Sequence, residues 1–127
     1  MIVTPVEHLL ATLRQVLEVP IATLVQRETP DLFVRLDVTS TKATSPVSQD
    51  TDIAIQVYGV DQEETINLAT ALRFMMMDEI YARNDKILWW EETQGPIEFP
   101  DPDTNHHYRW QFTGTLTTTL TLSLIHI

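Results

Sequence analysis

The densest set of side chains capable of chemistry lies between Asp101 and His107, where Asp101, Asp103, Asn105, His106 and His107 fall close together. The Asp-x-Asp-x-Asn start has the form of a calcium loop, which places oxygen ligands at its first, third and fifth positions. The rest departs from that loop. Its sixth position is His106 where a glycine must turn the chain, its twelfth is Phe112 where a bidentate Glu is required, and Pro102 stiffens the start. Adjacent histidines on a strand point to opposite faces, so His106 and His107 are poor joint ligands. No metal site is expected here, and metal-dependent hydrolysis through Asp101, Asp103 and the histidines stands only as the enzymatic alternative. Nucleophilic catalysis lacks its parts: there is no cysteine, no G-x-S-x-G elbow, and three glycines are too few for a phosphate-cradling loop. Glu91 and Glu92 read as solvated charges, with nothing nearby in sequence to raise a pKa. The chain is expected to act without catalysis and without a cofactor.

Composition narrows the class further. A chain of 127 residues, 43% of them apolar, fits one domain around one core. No apolar run approaches the roughly 20 residues needed to span a bilayer, and Met1 to Leu10 lacks the pattern of a signal peptide. Without cysteine there is no disulfide framework, so a reducing, cytoplasmic origin is expected. Eighteen Asp and Glu against eight Lys and Arg leave a net charge of −10, the opposite of a nucleic-acid binder's footprint.

The elements that must position the acidic turn can be read in order. Thr4-Pro5-Val6-Glu7 forms a capping box, with Glu7 expected to reach back to a free backbone N–H. Val6, Leu9, Leu10, Leu13, Val16 and Leu17 then make one apolar helical stripe that Pro20 ends. Ile21 to Gln26 is a short β-like run, expected to form a hairpin with the strand Leu32 to Val38. That strand alternates Leu32, Val34, Leu36 and Val38 with Phe33, Arg35 and Asp37, and the second face is expected to meet solvent or a partner. Thr39 to Asp50, rich in Ser and Thr, is expected to be a long surface loop. Thr51 to Tyr58 alternates again and Gly59 closes it.

Asp61 followed by Glu64 caps a second helix expected to run to about Ala82, with Ile66, Ala69, Leu72, Met76 and Ile80 as its core stripe and the Met75-Met76-Met77 triplet as adaptable filling. Ile87 to Glu91 is expected to be a short strand with Trp89 and Trp90 on opposite faces. From Tyr108 to Thr121 the alternation is strict, and at ~3.4 Å per residue that strand would run on the order of 45 Å. Its threonine-rich half from Thr115 is therefore expected to project or to pair with another molecule. The order predicts an α+β fold: two helices packed on one face of a mostly antiparallel β-sheet with a long C-terminal strand.

Several motifs, taken together, carry a resemblance: Phe33-Val34-Arg35; Asp52-Ile53-Ala54-Ile55-Gln56-Val57-Tyr58; Leu68-Ala69-Thr70-Ala71; Gly95-Pro96; Phe99-Pro100-Asp101-Pro102-Asp103-Thr104; and Arg109-Trp110-Gln111-Phe112-Thr113. In this order, over nearly the whole chain, they resemble tail terminator proteins of long-tailed bacteriophages, also called tail completion or neck proteins. The resemblance implies a structural subunit of a homo-hexameric ring at the head-proximal end of the tail tube. Such a ring stops tube growth, meets the tail tube protein on one side and the head-tail connector protein on the other, and lets DNA pass without specific binding. It implies a place in the virion neck, assembled in the host cytoplasm, with Phe99, Pro100, Asp101, Pro102, Asp103, Arg109, Trp110 and Gln111 as partner-interface residues. A head-side connector, or another ring subunit of a tail-like machine, is the alternative within the same class.

Residues 1–121 are expected to form the one domain. Leu122 to Ile127, LSLIHI, breaks the alternation and matches the translation of a common sequencing-library transposon adapter, so the native strand is expected to continue beyond Thr121.

Overall fold

The computed structural model of the chain describes residues 4–23, 30–102 and 106–120; Asp103, Asn105 and the 122–127 segment lie outside them. Helix α1 spans Pro5–Arg14 and starts as its local chemistry dictates. Thr4 is the N-cap: its hydroxyl accepts from the Glu7 N–H at 3.3 Å and donates to the Glu7 carboxylate at 3.0 Å. Glu7 thus returns to the cap through the Thr4 hydroxyl. The α-helix ends well before Pro20, continuing as a turn in which the Leu17 N–H donates to the Leu13 carbonyl at 2.9 Å.

Strand β1, Ile21–Ala22, runs parallel to β2, Leu32–Ser45, pairing Ile21 with Val34 and Ala22 with Arg35. The expected hairpin does not form; the Val34 N–H donates to the Pro20 carbonyl at 2.9 Å, anchoring the entry of β1 against β2. β2 instead forms a long antiparallel hairpin with β3, Ser48–Gly59. The expected surface loop at Thr39 to Asp50 is therefore mostly strand, and the turn is confined to Ser45–Ser48. Thr is β-branched and fits a pleated surface. Its hydroxyls and those of Ser also bond across the ladder, Thr41 to Thr51 at 3.3 Å and Ser40 to Asp52 at 2.6 Å.

Helix α2, Gln62–Phe74, is capped by Asp61, whose carboxylate accepts from the Glu64 N–H at 3.1 Å. It runs without a break through a π-helical turn, Met75–Glu79, into α3, Ile80–Arg83. The wider turn spans the methionine triplet and leaves both Met76 and Ile80 in the core. Asn84, just past α3, donates to the Thr12 hydroxyl at 3.0 Å and so ties the end of this run to α1.

Strands β4, Ile87–Glu98, and β5, Tyr108–Thr119, complete a five-stranded sheet in the order β1-β2-β3-β5-β4, with every pair beyond β1–β2 antiparallel. β4 is much longer than the expected Ile87 to Glu91, because three register shifts break the alternation by which its second half would be recognised. Trp89 and Trp90 do part ways, 60% and 4% exposed. β5 lies between β3 and β4, so its threonine-rich half does not project: Thr115 to Thr119 pair with Ser48 to Asp52 on one side, and Thr115 to Thr118 pair along Ile87 to Glu91 on the other.

Leu9, Leu13, Leu72, Met76 and Ile80 from the helices meet Val34, Leu36, Ile53, Ile55, Val57, Phe112 and Leu116 from one face of the sheet. Each such fully buried side chain contributes about 1.5–3 kcal/mol of transfer free energy. Gly114 lets the Trp90 ring cross β5, since a Cβ there would lie 2.4 Å from that ring; Trp90 meets Phe112 edge-on, centroids 6.4 Å apart. The fold is thus α+β, helices on one face of a mostly antiparallel sheet with a long C-terminal strand. No helix among the described residues is long and apolar enough to cross a membrane.

Candidate functional site

The face of the sheet away from the helices is built in rows that cross neighbouring strands. Register places Phe33, Tyr58 and Arg109 in one row, Arg35, Gln56 and Gln111 in the next, Asp37, Ala54 and Thr113 in a third, then Ser40, Asp52, Thr115 and Glu91, and last Lys42, Asp50 and Thr117. The first row is covered. Phe99 to Pro102 turn back over it, so Phe33 and Tyr58 lie buried under the chain's own acidic turn, while Arg35 and Asp37 farther along the face stay part-exposed.

Arg109 holds that turn. Its Nε donates to the Phe99 carbonyl, its Nη2 to the Pro100 carbonyl at 3.3 Å, and its Nη1 to the Tyr58 hydroxyl at 3.2 Å. The Tyr58 hydroxyl in turn donates to the Asp101 carboxylate at 2.9 Å, and that carboxylate lies 3.6 Å from the Arg109 guanidinium. Phe99 covers the guanidinium from outside, 4.7 Å from ring centroid to cation. Beneath, Phe33 and Tyr58 stack at 4.6 Å, and His107 meets both rings edge-on while its Nε2 bonds the Pro30 carbonyl at 2.8 Å. Gln56 donates to Gln111 at 2.9 Å in the adjoining row. Burial pushes the Tyr58 phenol above its ordinary pKa, Arg109 opposing, so the hydroxyl stays protonated and available as a donor.

The last two rows are open. Asp52 accepts from the Ser40 and Thr115 hydroxyls at 2.6 and 2.7 Å, and Asp50 accepts from Thr117 at 2.6 Å. The bonds from Ser40 and Thr115, with a smaller effect of Lys42, hold the Asp52 carboxyl below its ordinary range. Ser40, Lys42, Asp50, Asp52 and Thr115 line a shallow depression of about 340 Å³.

The residues singled out from the sequence therefore separate. Phe99, Pro100, Asp101 and Arg109 converge on one node; Phe99, Pro100 and Pro102 remain at the surface, whereas the Asp101 and Arg109 side chains are turned inward at 11% and 10% exposure. Gln111 stands in the neighbouring row. Trp110, on the opposite face, packs against the helix-side core. Phe33 and Tyr58 carry functional weight in the sequence only within the resemblance motifs, and His107 only as a poor metal ligand; none of the three stands among the expected interface residues. The alternation of β2 and β3 puts Phe33 and Tyr58 on this face, but which residues cover them depends on a turn far along the chain. Among the described residues no group of three His, Cys, Asp or Glu side chains is placed to hold a metal ion. The arrangement fixes a turn and displays carboxylates whose oxygens already accept hydroxyl bonds. Compared with known proteins, the chain matches no family model and no curated protein.

Proposed function

We propose that this chain is a structural subunit that caps the head-proximal end of a phage tail tube as a ring, stops tube polymerisation and offers the joining surface for the head connector. The observation that carries the reading is that both outer strands of the sheet keep unpaired edges. Among the described residues β1 covers β2 only at Val34 and Arg35, and β4 has no outer neighbour. One subunit therefore carries two different edges at opposite ends of a single sheet, which is what head-to-tail ring contacts require. The motifs taken in chain order point to the family: residues of four of them, Phe33, Tyr58 with Gln56, Phe99 to Asp101, and Arg109, converge on one node.

Part of the −10 charge is assigned to the lumen, where phosphate repulsion would keep passing DNA from adhering. Asp50, Asp52 and Glu91 on the open rows suit that task better than Asp101, whose carboxylate is engaged with Tyr58 and Arg109. The test is to add the purified chain to tail tube protein during polymerisation. Capped, shortened tubes in electron micrographs are expected; unchanged tube lengths with bare ends refute the reading, and binding to connector rings alone transfers the chain to the head side.

A further inference from the structure

Three methionine sulfurs stand at successive positions on the second helical run, and the fold treats each differently. Met76 is fully buried in the core, Met75 is partly buried against it, and Met77 is 56% exposed. All three lie in the π-helical turn Met75–Glu79, an element found often at functional sites. Met77 is the one exposed methionine among the described residues, and the chain has no cysteine to compete with it. A thioether is soft, polarizable and oxidised according to its access to solvent. The next two residues, Asp78 and Glu79, are exposed acids in a chain of net charge −10, so a neutral oxidant reaches the sulfur without the repulsion an anion would meet.

We propose that Met77 is an oxidative modification site, its sulfur taking one oxygen atom from hydrogen peroxide. The sulfur lone pair attacks a peroxide oxygen, and the O–O bond breaks as the S–O bond forms. The departing hydroxide takes the proton left on the transferred oxygen and leaves as water. Sulfur gives up two electrons and the peroxide gains them. The resulting sulfoxide is polar and is returned to the thioether by reductases of its class.

The position of Met77 decides what this changes. Phe74, 65% exposed, lies three residues before it on the same run, and Tyr81, four residues after, stacks on the exposed Trp89 with centroids 6.4 Å apart. An S–O dipole at Met77 therefore alters an apolar stretch of surface. The core is spared, because the sulfur it depends on, Met76, has no exposed area. The assignment is independent of the ring reading.

The test treats the whole folded chain with hydrogen peroxide and then digests it with trypsin. Arg73 and Arg83 bracket the three methionines in one peptide, whose fragment masses locate the added oxygen. Addition is expected first at Met77, with Met76 at least about tenfold slower until urea unfolds the chain and the rates converge. The chain oxidised at Met77 should elute earlier from a phenyl column, with its Tm moved by less than about 2 °C. Met77→Gln should elute early without any oxidant, and Met77→Leu should keep its retention through the same peroxide dose. Addition at Met75 or Met76 that keeps pace with Met77 in the folded chain, or none at Met77, overturns the assignment. A Met77 sulfoxide that leaves retention unchanged, or that moves Tm further than this, overturns the claim that the modification acts on the surface alone.

Discussion

Removing the Asp101 carboxylate is the sharpest test of the node beneath the acidic turn. In Asp101→Ala the Tyr58 hydroxyl, on a residue with no exposed surface, loses its acceptor at 2.9 Å and keeps the longer bond to the Gln56 Oε1 at 3.4 Å, and the Arg109 guanidinium loses the anion 3.6 Å away. A hydrogen bond to a charged group contributes about 1.5–3 kcal/mol. The ion pair is too well covered for the near-zero value of a surface pair, yet Arg109 keeps the Phe99 and Pro100 carbonyls. The loss should be about 2–3 kcal/mol, roughly 10 °C in Tm for a domain of this size. Arg109→Ala should cost more, about 3–5 kcal/mol, because it strips a donor from two carbonyls, the phenol and the carboxylate at once. In the double variant the two losses should overlap by about 1–2 kcal/mol. Urea unfolding of the four proteins measures all of this. A cost for Asp101→Ala under about 0.5 kcal/mol, or strictly additive losses, would refute the account of the node.

Other outcomes follow from the same geometry. Gly114→Ala should destabilise by about 3 kcal/mol, since its Cβ must displace the Trp90 ring and the Glu91 carbonyl, whereas Gly95→Ala, whose Cβ would make only an ordinary contact with the Arg73 terminus at 3.4 Å, should stay within about 0.5 kcal/mol; comparing urea midpoints decides. Asp52 has a carboxyl pKa depressed below 3.8 in the fold, so its stabilisation relative to Asp52→Asn should be complete above that value and vanish as pH falls through the folded pKa, as acid titrations of both proteins would record. Tyr58 behaves in the opposite sense. Its phenol is raised above 10.0 in the fold, so the native chain should lose stability relative to Tyr58→Phe as pH climbs past that value, while the two should run parallel below it.

Periodicity carried much of the architecture. The even positions of β5 and the odd positions of β3 named one core face, and the Thr4 and Asp61 caps named two helix starts. The far half of the β2–β3 hairpin stayed hidden because Thr and Ser mark both loops and strands. What decides between them is a partner strand that local composition does not display, although the β-branched Thr39, Thr41 and Thr51 gave a weak signal. β4 was cut short because its bulges interrupt the period of two. In the site, the Phe99 to Asp103 turn and Arg109 were legible as neighbours in sequence. That Arg109 clasps the turn's own carbonyls, and that Tyr58 from β3 completes the node, follows only from the register that sets Tyr58 beside Arg109.

The position of β5 has a consequence for how the chain is made. It is the last strand in sequence among the described residues, yet it fills the middle of the sheet, between β3 and β4. On the ribosome the β2–β3 hairpin can form from local contacts, but β4 emerges with no neighbour to pair with, and the helix-side core lacks Phe112 and Leu116 until residue 116 has cleared the exit tunnel. β4 and β5 are consecutive and antiparallel and can pair as a second hairpin, so closing the sheet means docking that hairpin on β3, a step dominated by distant contacts and hence slow. Until then the long edge of β3 is unpaired, and a strand of another nascent chain can pair with it in place of β5. Crowded synthesis of a chain with this strand order therefore selects for quick release and dilute folding, and overexpression should send a growing share of product into strand-exchanged aggregates as the synthesis rate rises.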